Sequence, residues 1–99
     1  MARLVVAGPA KHDVREILTR LGQVAGKAVA RRYGARFKGV YRYIARYPAA
    51  GAPRPALGPE TRIRVVQPFV VIYDYSDDQA TILRIVDGRR QITPELLGR

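Results

Sequence analysis

The stretch from Arg62 to Gly88 leaves this chain little freedom in how to fold. Arg62 to Gln67 alternates, with Ile63 and Val65 on one side and Arg62 and Arg64 on the other, the period of a half-buried strand. Pro68 has no backbone N–H and interrupts the ladder. Phe69 to Tyr75 is nearly continuous in apolar, β-branched and aromatic residues, the pattern of a central strand covered on both faces. Ser76-Asp77-Asp78-Gln79 carries side chains that bond to nearby backbone and so turn the chain. Ala80 to Val86 is a third strand, ended by Asp87-Gly88. Three short strands with tight connections make an antiparallel meander, which needs something apolar laid against it.

The N-terminal half supplies that cover. Arg3 to Ala7 is a short strand, and Gly8-Pro9 opens a helix, since proline at a helix start loses only a donor with no partner there. Ala10, Val14, Ile17, Leu18 and Leu21 recur at helical spacing, and Gly22 is the expected terminator. Asp13 and Glu16 lie toward the positive end of this helix. A second helix is expected from Gly26 to Arg46, with Ala30, Tyr33, Phe37, Val40, Tyr41 and Ile44 on one face. Arg31, Arg32, Arg36, Lys38, Arg42 and Arg46 occupy the other. Its interior glycines, Gly34 and Gly39, weaken it unless another helix packs closely there. Pro48 ends it by forcing the preceding residue out of the α region. Ala49 to Glu60 is a Pro/Gly-rich connector, and Thr93-Pro94-Glu95 starts a short C-terminal helix. Ninety-nine residues support one core, hence one domain over 1–99. The fold class is α+β in the order β-α-α-β-β-β, with a helical hairpin on a small twisted antiparallel sheet.

Charge sets the class of partner. Eighteen Lys and Arg face eight Asp and Glu, a net charge of +10, and no acid occurs between Glu16 and Glu60. Such a field attracts nucleic acid, an acidic membrane surface or an acidic protein. Many of these side chains form an ordinary solvated face. Without cysteine there is neither a disulfide nor a thiolate metal site, in keeping with a reducing cytoplasm. The apolar runs are too short to span a membrane, and the N-terminus does not read as a secretory signal, so a cytoplasmic location is expected.

Conventional hydrolytic machinery is missing. His12 is the only histidine and reads as a surface residue, so no metal site is expected, and no cofactor. Asp77-Asp78 reads as a turn rather than a general-acid pair. What remains is basic: Arg62, Arg64 and Arg84 on strands, with Arg89 and Arg90 just beyond. Brought together, they would hold phosphate or carboxylate oxygens bidentately; the alternative is that Arg84 sits at a sheet edge and the others are solvated.

In order along the chain, Leu4-Val5-Val6-Ala7-Gly8-Pro9, Tyr47-Pro48, Arg54-Pro55-Ala56-Leu57-Gly58-Pro59-Glu60-Thr61-Arg62, Phe69-Val70-Val71-Ile72-Tyr73 and Ile82-Leu83-Arg84-Ile85-Val86-Asp87-Gly88 resemble the toxins of the RelE/ParE superfamily of type II toxin–antitoxin systems. The resemblance covers nearly the whole chain and rests on the order and spacing of these segments, none of which is diagnostic alone. It implies a cognate antitoxin, here expected to be acidic, whose C-terminal segment wraps the toxin. Toxin and antitoxin would join in a heterotetramer or larger assembly. Val71, Tyr73 and Ile82 are the apolar candidates to face it.

The superfamily divides into RelE-like toxins, which cut messenger RNA in the ribosome, and ParE-like toxins, which inhibit DNA gyrase. Arg62, Arg64 and Arg84 are similar in position to the basic residues of the ribonucleases. However, Asp87 stands where a histidine often precedes glycine, and no Tyr or His follows Tyr75. Cleavage needs a group that moves protons, and arginine holds its own. The ParE-like reading is therefore preferred, with messenger RNA cleavage the alternative and a basic nucleic-acid-binding module a further one.

Overall fold

The computed structural model describes residues 1–99. Strand β1 (Arg3–Val6) leads into helix α1 (Gly8–Ala25) and helix α2 (Lys27–Arg46). A 3-10 turn (Pro48–Ala50) and the two-residue strand β2 (Ala52–Pro53) then precede strands β3 (Thr61–Val66), β4 (Phe69–Ser76) and β5 (Gln79–Asp87). A second 3-10 turn (Pro94–Leu97) follows.

The meander forms as the alternation requires. β3 and β4 pair antiparallel from Thr61 opposite Asp74 to Val66 opposite Phe69, leaving Gln67 and Pro68 as the connection. β4 and β5 close at Ser76 opposite Gln79 around Asp77 and Asp78. Both aspartates have positive φ, 50° and 59°, which suits the right-handed twist of a two-residue hairpin. β1 then adds parallel to β5, Arg3 opposite Gln79 through Val6 opposite Ile82. The sheet is thus mixed, in the order β1-β5-β4-β3-β2. The parallel edge follows from the two helices between β1 and β2, which carry the chain across one face before the meander starts.

Gly22 does not end the first helix. α1 continues to Ala25, and the break falls at Gly26, whose φ of 93° suits a residue without Cβ. A Cβ on Gly22 would meet Ala30 at 3.9 Å, so Gly22 lies where the two helices face each other at the closed end of the hairpin. Gly34 does the same further along, 3.5 Å from Leu18 Cδ1, whereas a Cβ on Gly39 would approach nothing closer than the Arg42 guanidinium at 4.0 Å. α2 buries Phe37 and Ile44, half-buries Tyr33, Val40 and Tyr41, and exposes every one of its basic residues. Tyr33 and Phe37 each meet Phe69 with ring centroids 5.8 Å apart, fixing α2 to the start of β4.

The sheet separates two apolar layers. Under the helices lie Ala10, Phe37, Ile44, Val66, Val71, Tyr73, Ala80, Ile82 and Ile85. Beneath the opposite face, Val70, Ile72 and Val86 pack with Leu57, joined by the partly buried Ile63, Leu83, Ile92, Leu96 and Leu97. The chain's own connector and C-terminal segment therefore cover the second side of the central strand. Val71, Tyr73 and Ile82 are each 0% exposed in the helix-side layer. They are core, and the expectation that they face an antitoxin is corrected: period-two alternation gives two sets of side chains but does not say which set the helices cover.

Candidate partner-binding surface

Alternation along β3 places Arg62 and Arg64 on the same side as Val66, toward the helices. α2 ends at Arg46, so it covers only part of this strand, and the arginine stems lie along its last turn and the segment that follows. Arg62 Nη1 donates to the carbonyls of Ala49 (2.9 Å) and Gly51 (2.8 Å). Beside it, the Tyr73 hydroxyl donates to Pro48 O (2.7 Å) and accepts from the Gly51 N–H (3.0 Å). The approach is so close that any Cβ at position 51 would collide with the Tyr73 ring. Burial pushes the Tyr73 phenol above its ordinary pKa, outweighing the opposing influence of the Gly51 hydrogen bond and of Arg62 and Arg64. It stays protonated at neutral pH. Arg64 lies over a different residue, its guanidinium carbon 3.7 Å from the Tyr43 ring centroid.

Arg84 is held elsewhere. A register shift between Ile72 and Tyr73 sets Ile72 opposite Arg84 and Tyr73 opposite Ile82, so Leu83 is the extra residue of a bulge. β1 stops at Val6, and past that point the outer edge of β5 belongs to α1. The Asp13 carboxylate accepts from Arg84 Nε (2.7 Å), Arg84 Nη2 (3.0 Å) and the Ile85 N–H (2.9 Å). Arg84 Nη1 donates to Leu96 O at 3.0 Å, so one side chain ties α1, the β5 edge and the C-terminal turn together. The hydrogen bond to Asp13 raises the Arg84 pKa further above its ordinary value. Asp13, read from sequence as a charge serving the helix dipole, instead caps a strand edge.

Arg89 and Arg90 lie beyond β5 and are exposed. Arg89 grips Asp87 through Nε (3.0 Å), Nη2 (2.9 Å) and its own backbone N–H (2.9 Å). These bonds, the guanidinium's first, hold the Asp87 carboxyl down at about 2. With Asp13, Glu16, Arg20 and Phe69, the two arginines line a groove of about 600 Å³ between α1 and the end of β5.

The five arginines singled out from sequence thus fall into three places: Arg62 and Arg64 by the end of α2, Arg84 under α1, and Arg89 with Arg90 past the sheet. Arg84 does not join Arg62 and Arg64 in one cluster, because β4 separates their strands and Asp13 draws Arg84 to the outer edge. Of the groups bonded among these arginines, Tyr73 is raised and Asp87 is depressed, so neither exchanges a proton readily at neutral pH. What this surface offers is fixed positive charge with aromatic rings beside it. The Tyr43 and Tyr47 rings meet at a tilt of 51° with centroids 5.1 Å apart, and Arg46 lies 5.6 Å over Tyr47. Sequence reasoning passed over this pair; the four-residue spacing from Tyr43 to the residue just past the helix end was the available signal. No comparable signal linked Asp13 to Arg84, which are far apart in the chain.

The family model for the ParE toxin of the type II toxin–antitoxin system parDE matches residues 4–92. The chain is 28% identical over 96 residues to Toxin ParE3 of Caulobacter vibrioides, an alignment spanning 97% of this chain and 96% of that one. Its fold matches a solved chain of the chromosomal ParDE TA system from P. aeruginosa with a TM-score of 0.75 at 21% identity, over 88% of this chain and 96% of the other. Matched from its first strand to just past its last, the chain belongs to the ParE toxin family of type II toxin–antitoxin systems.

Proposed function

We propose that this toxin arrests growth by binding DNA gyrase rather than by cutting RNA, and that a cognate acidic antitoxin silences it. The observation that carries the reading is the separation of Arg84 from Arg62 and Arg64, with each of the three engaged by a different partner. A ribonuclease needs its cationic side chains converged on one scissile phosphate with a proton carrier beside them. Here one arginine holds a turn, one lies on a tyrosine and one is locked by Asp13. Docking asks only for complementary shape and charge, and the exposed cationic side of α2 supplies the charge. An antitoxin rich in Asp and Glu would neutralise that side while masking the target-binding surface.

The test is a supercoiling assay in which purified toxin is titrated against gyrase and relaxed plasmid, with primer extension on translated messages run in parallel. Loss of supercoiling or trapped DNA breaks, with message ends unchanged, is the expected result. New 5′ ends on translating ribosomes with gyrase unaffected would replace this reading with the endonuclease one.

A further inference from the structure

We infer that the C-terminal half of α2 carries a binding track for single-stranded nucleic acid, built on Tyr43 and Tyr47, which goes beyond the gyrase and antitoxin reading. A hollow of about 610 Å³ has Leu4 and Ala45 among its apolar lining and Arg42, Arg46, Tyr43 and Tyr47 among the rest. A second, of about 280 Å³, brings Tyr43 together with Arg36 and Arg64. Gly39 and Tyr43 line both. Gly39 sits mid-helix with free space where its Cβ would stand, so packing does not require a glycine there. The two hollows therefore adjoin across the Gly39–Tyr43 row of the helix.

The chemistry of the hollows selects their occupant. Tyr43 and Tyr47 are 38% and 49% exposed, large rings left at the surface of a chain that buries its other aromatic residues more deeply. Each carries a guanidinium, Arg64 on Tyr43 and Arg46 near Tyr47, and Arg36 lies 4.9 Å over the half-buried Tyr33 further along the helix. Exposed rings interleaved with cations suit a strand whose bases have flat faces and whose backbone is anionic. The bases stack on the Tyr47 ring and on the Arg64 guanidinium that lies over Tyr43, and the phosphates follow Arg36, Arg42 and Arg46. An acidic polypeptide would satisfy the cations but has no need of exposed rings. A closed duplex keeps its base faces stacked inside and cannot use the rings.

Fluorescence anisotropy on the full chain tests this, with labelled oligo-dT and oligo-U separating DNA from RNA. Polyphosphate, polyglutamate and a DNA duplex serve as competitors. Tyr47→Leu is expected to weaken oligonucleotide binding about tenfold with little change in the salt slope, and Tyr47→Phe to bind like the parent. Arg42→Ala is expected to weaken binding and flatten the salt slope. Tyr43→Leu is read the same way once thermal melting shows the variant folded; Tyr47, half-exposed, carries the test if it is not. Undiminished binding by Tyr47→Leu, or equal competition from polyphosphate, polyglutamate or duplex, would overturn the inference and leave a general polyanion surface.

Discussion

The two faces of the sheet are built from the same alternating strands, yet they are held in different ways. On the helix side, two long helices lay Phe37, Ile44 and Ala10 against Val71, Tyr73, Ile82 and Ile85, nearly all fully buried. On the other side the cover is a connector and one 3-10 turn, contributing Leu57, Ile92, Leu96 and Leu97. Too thin to bury Ile92, Leu96 and Leu97 completely, it is fastened by polar contacts. Arg99 Nη1 donates to Leu57 O (2.9 Å) and to Thr61 Oγ1 (2.8 Å), and its Nη2 pairs with Asp74. Arg84 reaches Leu96 O from the sheet edge. A helix holds a sheet by area, whereas a short turn needs pins.

The contrast can be broken by truncating one apolar side chain on each face. Phe37→Ala, on the helix side, should cost about 3–5 kcal/mol in urea unfolding, since it removes a fully buried ring packed against Phe69. That is a large share of the roughly 5–15 kcal/mol that holds a domain of this kind. Leu96→Ala, on the other face, should cost only about 1–2 kcal/mol, because its side chain is already partly in water. Equal losses at the two positions would mean that the thin cover is a second full core.

Much of this architecture is legible in the sequence, and the gaps have identifiable causes. Strand limits and turns in the meander follow from local chemistry, with Pro68, Asp77-Asp78 and Asp87-Gly88 punctuating an apolar run. The end of α2 follows from Pro48, and its exposed basic side from helical spacing. The end of α1 does not, because Gly22 and Gly26 are both competent to terminate a helix, and the first lies within it, facing Ala30 of α2. Which face of β3 meets the helices is equally hidden: Arg62 and Arg64 read as solvent-facing, yet they bond across the turn after α2. The basic cluster failed for a related reason. Arg84 has a partner only because α1 runs beside an edge that β1 leaves uncovered, a relation between segments no spacing rule contains.

A smaller effect sharpens the claim that the second face is pinned. Arg99→Ala removes three donated hydrogen bonds from a side chain that remains one-third exposed, so the global cost should be about 1 kcal/mol or less. The local consequence is larger. Hydrogen exchange should speed up at the Leu96, Gly98 and residue-99 amides, whose bonds to Thr93, Glu95 and Pro94 hold the turn closed. Amides of α1 and α2 should exchange as before. Protection lost evenly across both faces would show that Arg99 supports the whole fold rather than its cover.

The smallest effect concerns the chain's exit from β5 toward that cover. Asp87 receives two bonds from the Arg89 guanidinium and one from the Arg89 N–H, and these depress its carboxyl to about 2. In the unfolded chain the same carboxyl titrates near ~3.9. The folded state therefore binds the proton less readily than the unfolded one, and the Asp87–Arg89 contribution is fully present above about pH 4. It fades as pH falls from that value through 2, and below 2 both states are protonated. Thermal melting of the parent and of Asp87→Asn should differ by a constant amount from pH 7 to about 5, and the gap should narrow on further acidification. Melting curves that stayed equally far apart at pH 2 and pH 7 would show that the Asp87 charge does not fasten this exit, and that the turn after β5 is set by its backbone alone.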